Sequence, residues 1–273
     1  MIIRAGGNTF TACVPLKLLL GFAENYKKIL ICARQELILR RSRTDVNALQ
    51  SVTQDDTSSL EISRMIWMVP SLGVSDTARI SLLNIIRKDV PITVPFRSWS
   101  YFKNPNVLSG GGGGRDFTWT ITSMSHLEKP RYIIITFQIN RKNRYGESIN
   151  QYDHVNVADI KVYLNSEVFP HGSMNLESNK YAQAYKMYCD FQQSYYGRGD
   201  RTPRVSYERF KNSRTIFVID CVTRDERAKV VSTDIRLEVK MSDDIQPNTT
   251  CNCLILHDRT IEYTPFSNIV RKM

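Results

Sequence analysis

Histidines are the first residues to consider for acid–base or metal chemistry in this 273-residue chain. The four of them are widely separated in sequence: His126, His154, His171 and His257. No His-Glu-x-x-His motif for zinc and no Gly-x-Ser-x-Gly motif for a nucleophilic serine accompanies them. No pair of carboxylates lies in apolar surroundings that would suggest acid–base work. We therefore predict that the chain has no catalytic residues and is not an enzyme.

Cysteines could bind a metal or form disulfides, and there are six of them. Only Cys251 and Cys253 are close in sequence, and strand alternation would put both sulfur atoms on one face. A zinc site would need a further Cys-x2–4-Cys or His pair, which the sequence lacks. We interpret the two thiols as half-buried strand residues, and we predict no metal site and no cofactor.

A run of five glycines, residues 110–114, precedes Arg115 and invites comparison with a phosphate-binding loop. Such a loop needs Lys and Ser or Thr at the start of a helix, so that these groups reach the phosphates. Arg115 instead leads into a predicted strand, so the pattern favours an exposed loop tip. A second exposed loop contains Arg198, Gly199 and Asp200, the integrin-binding tripeptide, but three-residue matches are common by chance.

The net charge of +10 is unevenly distributed. Residues 1–50 and 101–150 together contribute +9, whereas residues 151–200 have a net charge of −2. This excess favours loose, nonspecific contact with DNA through a basic surface, because no recognition helix or aromatic platform is evident. The apolar runs are too short for a membrane helix, and the N-terminus does not resemble a signal peptide. We expect an intracellular protein, in the nucleus or cytoplasm, that is neither secreted nor bound to a membrane.

The elements that would position these residues are mostly short β-strands. Helices are predicted only after a cap at Ser75 and Asp76, and over residues 178–195. The predicted strands cover residues 28–32, 36–40, 60–69, 91–99, 117–121, 131–140, 155–165, 167–170, 215–222, 231–241 and 252–263. From residue 90 onward this gives about eight strands with one helical excursion. The pattern predicts an all-β protein, an antiparallel sandwich of jelly-roll type.

The second predicted helix is rich in tyrosine. Five tyrosines lie on or next to it: Tyr181, Tyr185, Tyr188, Tyr195 and Tyr196. The first three fall at i, i+4 and i+7, the spacing of one helix face. This stripe could form a stacking surface, but packing of the helix over the end of a sheet explains it more simply.

Several segments, taken in order, resemble one family of viral proteins. They are residues 36–42, 96–99, 127–133, 137–138, 140–143, 162–167, 253–259 and 270–273. The series is similar to the double jelly-roll proteins of virus-like elements in invertebrate genomes, the major capsid proteins of the Maverick/Polinton and adintovirus type.

The resemblance implies two consecutive jelly rolls in a subunit that forms homotrimers and a higher-order, virion-like shell, without catalytic residues or cofactor. Residues 1–72 would be the later part of the first jelly roll, residues 73–89 a connecting helix, and residues 90–273 a complete second jelly roll. The absent opening strands suggest an N-terminally truncated gene model or a decayed endogenous viral element. We expect subunit contacts at the five tyrosines and Arg115. The alternative is a jelly-roll module that binds a carbohydrate or another ligand and has no assembly role.

Overall fold

The computed structural model describes residues 2–4, 9–30, 33–50, 58–107, 114–121, 130–177, 180–197, 203–222 and 234–273. The chain divides into two compact units. Unit 1 comprises residues 1–41, 61–98 and 258–273, and unit 2 comprises residues 42–60 and 99–257. No helix in these described ranges is long and apolar enough to cross a membrane.

The first sheet of unit 2 is built around strand β5 (Pro130–Ile139). Antiparallel to it lie β8 (Phe217–Asp220) and β10 (Thr249–Thr264), and β3 (Ile92–Asn104) pairs with β10. Ile135 is opposite both Phe217 and Cys253 in this register. Residues 132–137 of β5 are almost all buried, as the apolar run in the sequence predicts for a strand covered on both faces.

The second sheet has four strands, all paired antiparallel. Their order across the sheet is β4 (Asp116–Ile121), β9 (Ile235–Met241), β6 (Val157–Leu164) and β7 (Glu167–Phe169). Ile235, Leu237, Val239 and Met241 are buried while the residues between them are not. The polar/apolar alternation predicted for this segment is therefore confirmed.

The two sheets of unit 2 share one hydrophobic core. Phe117 of β4 meets Phe137 of β5 edge-to-face, with 6.3 Å between ring centroids. Cys251 and Cys253 lie on one face of β10 as predicted, but they are fully buried in this core and not half-buried. Burial raises the pKa of the Cys253 thiol to about 12. The predicted class, an all-β antiparallel sandwich, is confirmed.

Two helices lie between strands β7 and β8, although only one was predicted there. Helix α3 (Ala182–Tyr196) lies against β8, and its predicted start at residue 178 lies outside the described residues. The unpredicted α4 (Tyr207–Ser213) begins where the Ser206 hydroxyl accepts a hydrogen bond from the Arg209 amide, at 3.5 Å. The predicted helical excursion therefore contains a second helix that sequence reasoning missed, because a seven-residue helix offers too little periodicity for recognition.

Unit 1 contains shorter elements. They are β1 (Ile2–Arg4), β2 (Phe10–Ala12), a 3-10 turn (Leu16–Leu18), α1 (Gly21–Asn25), α2 (Asp76–Arg87) and β11 (Ile269–Lys272), which pairs with the end of β10. The predicted cap of α2 is confirmed, since the Ser75 hydroxyl accepts a hydrogen bond from the Ala78 amide. Gly21 packs so closely on the chain that an added Cβ would lie 1.8 Å from the Arg97 carbonyl oxygen.

Two predicted strands of this N-terminal region do not form. Residues 36–40 and 60–69 form no strand pairs. Residues 28–30, the described part of the strand predicted over residues 28–32, form none either. Residues 31–32 lie outside the described residues. A strand requires a neighbouring strand to satisfy its backbone, and none among the described residues serves these segments. Strand propensity alone was therefore a wrong guide here.

Candidate assembly surface

Three of the five tyrosines expected at subunit contacts lie inside unit 2. Tyr181, Tyr188 and Tyr195 are only 0%, 5% and 8% exposed. The ring of Tyr181 lies 6.3 Å from that of Phe217 on β8, which shows why the helix carries this stripe. Helix α3 uses these rings to cover the first sheet, so they cannot contact another copy of the folded chain. Of the residues expected at subunit contacts, Tyr185, Tyr196 and Arg115 remain to be considered.

Tyr185 is half-buried and holds the two helices of unit 2 together. Its hydroxyl donates to the Val205 carbonyl oxygen at 2.9 Å, in the segment that precedes α4. Its ring meets those of Tyr207 and Phe210 edge-to-face, each with 5.3 Å between ring centroids. The residue therefore serves the internal packing of unit 2.

Tyr196 is the tyrosine of the set that solvent reaches, with 42% of its surface exposed. The Arg204 guanidinium carbon lies 4.6 Å from its ring centroid, and the Tyr195 ring meets it edge-to-face at 4.8 Å. Tyr195 in turn packs on Trp99 at 5.6 Å. Because a cation and a buried ring hold the Tyr196 ring in place, its side chain loses little conformational entropy on binding. Exposed aromatic side chains of this kind are typical of interface hot spots.

Arg115, the other expected contact residue, is exposed at the start of β4. Its Nε atom lies 3.2 Å from Oδ1 of Asp244, and the two side chains are 64% and 68% exposed. Its carbonyl oxygen accepts a hydrogen bond from the Met241 amide at 2.8 Å, so the backbone there is fixed while the guanidinium remains accessible. Residues 110–113 of the glycine run and the Arg198, Gly199 and Asp200 tripeptide lie outside the described residues.

A cavity of about 240 Å³ opens at one end of unit 2. Its lining mixes polar and apolar groups and comes from Ile139, Asp153, His154, Val155, Asn156, Asn212, Met241, Asp243, Asp244, Ile245 and Gln246. Its carboxylates have partners within the unit. Asp153 pairs with Arg141 and Asp244 with Arg115. Oδ2 of Asp243 accepts a hydrogen bond from the side-chain Nδ2 of Asn156 at 2.5 Å. Nowhere in the described ranges do three or more His, Cys, Asp or Glu residues form a potential metal site.

Sequence reasoning missed Arg204, which gives Tyr196 its fixed orientation. The guanidinium reaches the ring across the loop that joins α3 to α4, and no periodic spacing connects the two positions. The Arg204 amide also donates to Oε1 of Gln192 at 3.1 Å, so the loop returns to the helix it leaves. An arginine close after an aromatic helix end was the available signal.

Comparison with known proteins provides a family match over nearly the whole chain. The profile described as "Double jelly roll-like domain" matches residues 2–261. No curated protein matches at a significant level.

Solved structures similar to this chain come from viruses. The Sputnik virophage structure has a TM-score of 0.41 at 10% identity, the PBCV-1 capsid model 0.40 at 8%, and the mavirus major capsid protein 0.33 at 12%. The similarity covers 67%, 72% and 67% of this chain and 39%, 54% and 41% of those chains. This chain therefore spans about two fifths to one half of the length of the proteins it matches.

Proposed function

The chain belongs to the double jelly roll-like domain family, and from that membership we propose that it is a structural, capsid-type subunit that associates with copies of itself. The family match over residues 2–261 carries this proposal. The two-sheet core of unit 2 supports it, since a rigid sandwich suits a building block. In this proposal the protein acts without catalysis or cofactor, as a virion component that forms trimers and a larger shell.

The finer assignments belong to the same proposal. Residues 1–72 form the later part of a first jelly roll, residues 73–89 the connection, and residues 90–273 the second jelly roll. The boundaries of the two compact units differ from those of the two jelly rolls, because residues 258–273 group with the N-terminal part of the chain. The ordered likeness of the sequence to Maverick/Polinton and adintovirus proteins supports an endogenous viral origin.

Tyr196 and Arg115 form the part of the expected assembly surface that is exposed in unit 2. We expect Tyr196→Ala combined with Arg115→Glu to weaken association at least about tenfold, since anchoring Tyr and Arg side chains dominate interface energies. Multi-angle light scattering and electron microscopy of the purified chain would show the loss of trimers and particles.

Tyr101→Ala is the matched control, because Tyr101 is also an exposed tyrosine of unit 2. Association that survives the double substitution, or that Tyr101→Ala weakens equally, contradicts this surface. A wild-type chain that stays monomeric at all concentrations contradicts the assembly role itself.

The cavity at the end of unit 2 favours one alternative, a jelly-roll module that binds a carbohydrate or another small ligand. Its amide and carboxylate groups could bind sugar hydroxyls. A stable monomer that binds a glycan array, and loses binding with Asn212→Ala, would support this alternative over assembly. Absence of binding at millimolar ligand would exclude it.

Nonspecific DNA contact through the basic surface is a secondary expectation from the net charge of +10. Binding of this kind releases counterions, so its affinity falls steeply as salt rises. Fluorescence anisotropy with a labelled duplex at 50 and 200 mM salt tests it, and an affinity that does not change with salt contradicts it.

A further inference from the structure

Tyr101 presents an aromatic ring to solvent on the part of strand β3 that belongs to unit 2. Its side chain is 60% exposed, and its hydroxyl donates a hydrogen bond to Oδ1 of Asn252 on β10 at 2.7 Å. Asn252 lies between the buried Cys251 and Cys253, so strand alternation puts it on the face that points away from the core. The ring is therefore exposed on an open sheet face and anchored there through its hydroxyl.

The amide side chains beside Tyr101 are hydrogen-bonded within the protein. Nδ2 of Asn252 donates to Oε1 of Gln138 at 3.5 Å. Nε2 of Gln138 donates to the Ile149 and Gln151 carbonyl oxygens at 2.6 and 3.1 Å. Because most of their N–H groups are engaged, these amides offer few donors to the hydroxyl groups of a sugar. The face suits a ligand that stacks on the ring better than one that is recognised by hydrogen bonds.

The segments that follow β3 and β5 meet at one turn of unit 2. The Val107 amide donates to the Thr249 carbonyl oxygen at 3.1 Å, and the Asn140 amide donates to the Asn248 carbonyl oxygen at 3.2 Å. These two hydrogen bonds place the end of β3 and residues 140–144 at the same end of the first sheet.

Three cationic side chains at this end of the sheet lack an acidic partner. Lys103 follows Tyr101 by two positions on β3 and so shares its face, and Lys142 and Arg144 are exposed in the loop after β5. None of the three forms an ion pair with any residue that the structure describes, whereas the neighbouring Arg141 has two carboxylate partners. Partial burial and the charge of Lys142 lower the pKa of the Lys103 ammonium. The exposed ring therefore lies in a positive field that no carboxylate cancels.

These features distinguish between the polyanions that could bind here. A single-stranded nucleic acid offers phosphates to the cations and an unstacked base to the ring. A duplex offers the phosphates but keeps its bases stacked inside, so the ring adds nothing to its binding. An acidic polysaccharide offers its charges but needs donors for its hydroxyls, and the amides on this face provide few. The observations favour the single strand.

We propose that the Tyr101 face of unit 2, formed by Tyr101, Lys103, Lys142 and Arg144, binds single-stranded nucleic acid without sequence preference. One base stacks on the ring, and the cations bind the adjoining phosphates. This contact goes beyond the proposed assembly role and does not depend on it. It also differs from the duplex contact expected from the net charge, because it requires an aromatic ring at a defined place.

Substitution of the ring tests the stacking. Fluorescence anisotropy would compare a labelled oligothymidylate with a duplex of equal length. We expect Tyr101→Ala to weaken single-strand binding at least about fivefold and to leave duplex binding within about twofold, because only the single strand stacks a base. Tyr101→Phe keeps the ring and should bind single strands within about twofold of the wild type.

Tyr163→Ala is the matched control for this substitution. Tyr163 lies between buried residues of β6, so its ring is on the outward face of the second sheet. The Arg236 guanidinium carbon is 4.3 Å from its ring centroid, but Arg236 also pairs with Glu238 at 3.3 Å. This tyrosine therefore lies beside a neutralised cation, and its removal should leave single-strand binding within about twofold. Circular dichroism checks that each variant folds.

Salt dependence tests the cations separately from the ring. Each phosphate contact to a single strand contributes about 0.7 to the slope of log affinity against log salt, so Lys103→Gln combined with Lys142→Gln should reduce that slope by about 1.4. Lys161→Gln removes a lysine whose ammonium lies 3.9 Å from a carboxylate oxygen of Asp159, and it should leave the slope unchanged.

Two results would overturn the Tyr101 face. If Tyr101→Ala weakens neither form of DNA, or weakens both equally, no base stacks on the ring and only charge-driven contact stands. If heparin binds with the same dependence on Tyr101, the partner is an acidic glycan and not a nucleic acid. Light scattering of the same samples reports on assembly separately. A chain that stays monomeric but binds single strands as described contradicts the assembly role and supports this proposal.

Discussion

Asp153 fixes the loop next to the cavity of unit 2 with a single carboxylate. Its Oδ1 accepts from Nη2 of Arg141 at 2.6 Å, and its Oδ2 accepts from Nε of Arg141 at 3.0 Å and from the Ile139 amide at 2.9 Å. The two side chains are 15% and 17% exposed, and the contact raises the pKa of the Arg141 guanidinium. This is a bidentate pair in a mostly dry environment, the arrangement in which ion pairs matter most.

Removing this carboxylate should therefore destabilise unit 2. Asp153→Ala leaves the Ile139 amide and the Nε and Nη2 groups of Arg141 without their acceptor, while Nη1 keeps Glu147, and we expect the free energy of unfolding to fall by about 2–3 kcal/mol. Urea denaturation followed by circular dichroism measures this. Asp190→Ala breaks the exposed pair with Lys186 and should change stability by less than about 0.5 kcal/mol. Equal effects of the two substitutions would contradict the assignment.

The buried tyrosines make stability depend on alkaline pH. Burial raises the pKa of both Tyr181 and Tyr188 from 10.0 to about 12. Below pH 10 the hydroxyls are protonated in the folded and unfolded chains alike. Between pH 10 and 12 only the unfolded chain ionises them, so the free energy of unfolding falls as the pH rises. The combined Tyr181→Phe and Tyr188→Phe variant should lose less stability between pH 9 and 11 than the wild type does, and a parallel loss would exclude these two groups as the cause.

The tyrosine stripe shows what periodicity can and cannot predict at this scale. The i, i+4 and i+7 spacing correctly favoured packing against a sheet, and Tyr181 and Tyr188 are buried. Tyr196 is the last residue of the same helix but remains exposed, and its partner Arg204 lies beyond the loop that follows the helix. Which aromatic residue faces solvent depends on where the loop returns, and local spacing does not encode that.

Helix α4 is short, yet it contributes an anchor to the core of unit 2. Phe210 is fully buried and meets the rings of Tyr185 and Tyr188 at 5.3 and 5.6 Å between centroids. Deleting a buried aromatic ring removes its burial energy and leaves a cavity.

We expect Phe210→Ala to lower the free energy of unfolding by about 3–5 kcal/mol, because α3 loses the packing that holds it to α4. Chemical denaturation is the measurement. Tyr196→Ala, at the exposed end of α3, should cost less than about 1 kcal/mol while it weakens association. A destabilised Tyr196→Ala protein would place that residue in the fold and not in the interface.

Long strands were predicted well where a partner strand is present, and strands were predicted wrongly over segments that have no partner among the described residues. The alternation of β9 and the apolar run of β5 carried enough information to identify them. Residues 36–40 and 60–69 have similar strand propensity but no partner strand in the described chain. Pairing is a nonlocal property, so a pattern within one segment cannot show whether its partner exists.

At the scale of the whole molecule, the two units differ in how much they bury. Among the described residues, the buried apolar side chains of unit 1 are Val94, Tyr263 and Pro265, whereas unit 2 holds the continuous core. Apolar burial is the main source of folding stability. Stability should therefore be unevenly distributed along the chain.

Hydrogen exchange of the dilute monomer should show this division. We expect the amides of β5 and of residues 249–257 to exchange slowest, and those of residues 61–74 to exchange within seconds, because nothing in the described chain protects them. Comparable protection of both regions at low concentration would contradict the division.

The family and the sandwich class could be predicted from sequence because they rest on ordered strand patterns over the whole chain. The compact units could not, since residues 258–273 group with the N-terminal part through contacts that span the full length. Long-range contacts of this kind have no local signature in composition or spacing.

The buried thiols of unit 2 allow the rate at which this unit opens to be measured. Cys221, Cys251 and Cys253 are free and fully buried, whereas Cys13 of unit 1 is exposed. An alkylating reagent should therefore modify Cys13 at once and the other three only at the rate at which the sandwich transiently opens. Mass spectrometry of the time course would measure the rate at which the three buried thiols react. That rate gives the lifetime of the closed state of unit 2, in the free subunit and in any assembly it forms.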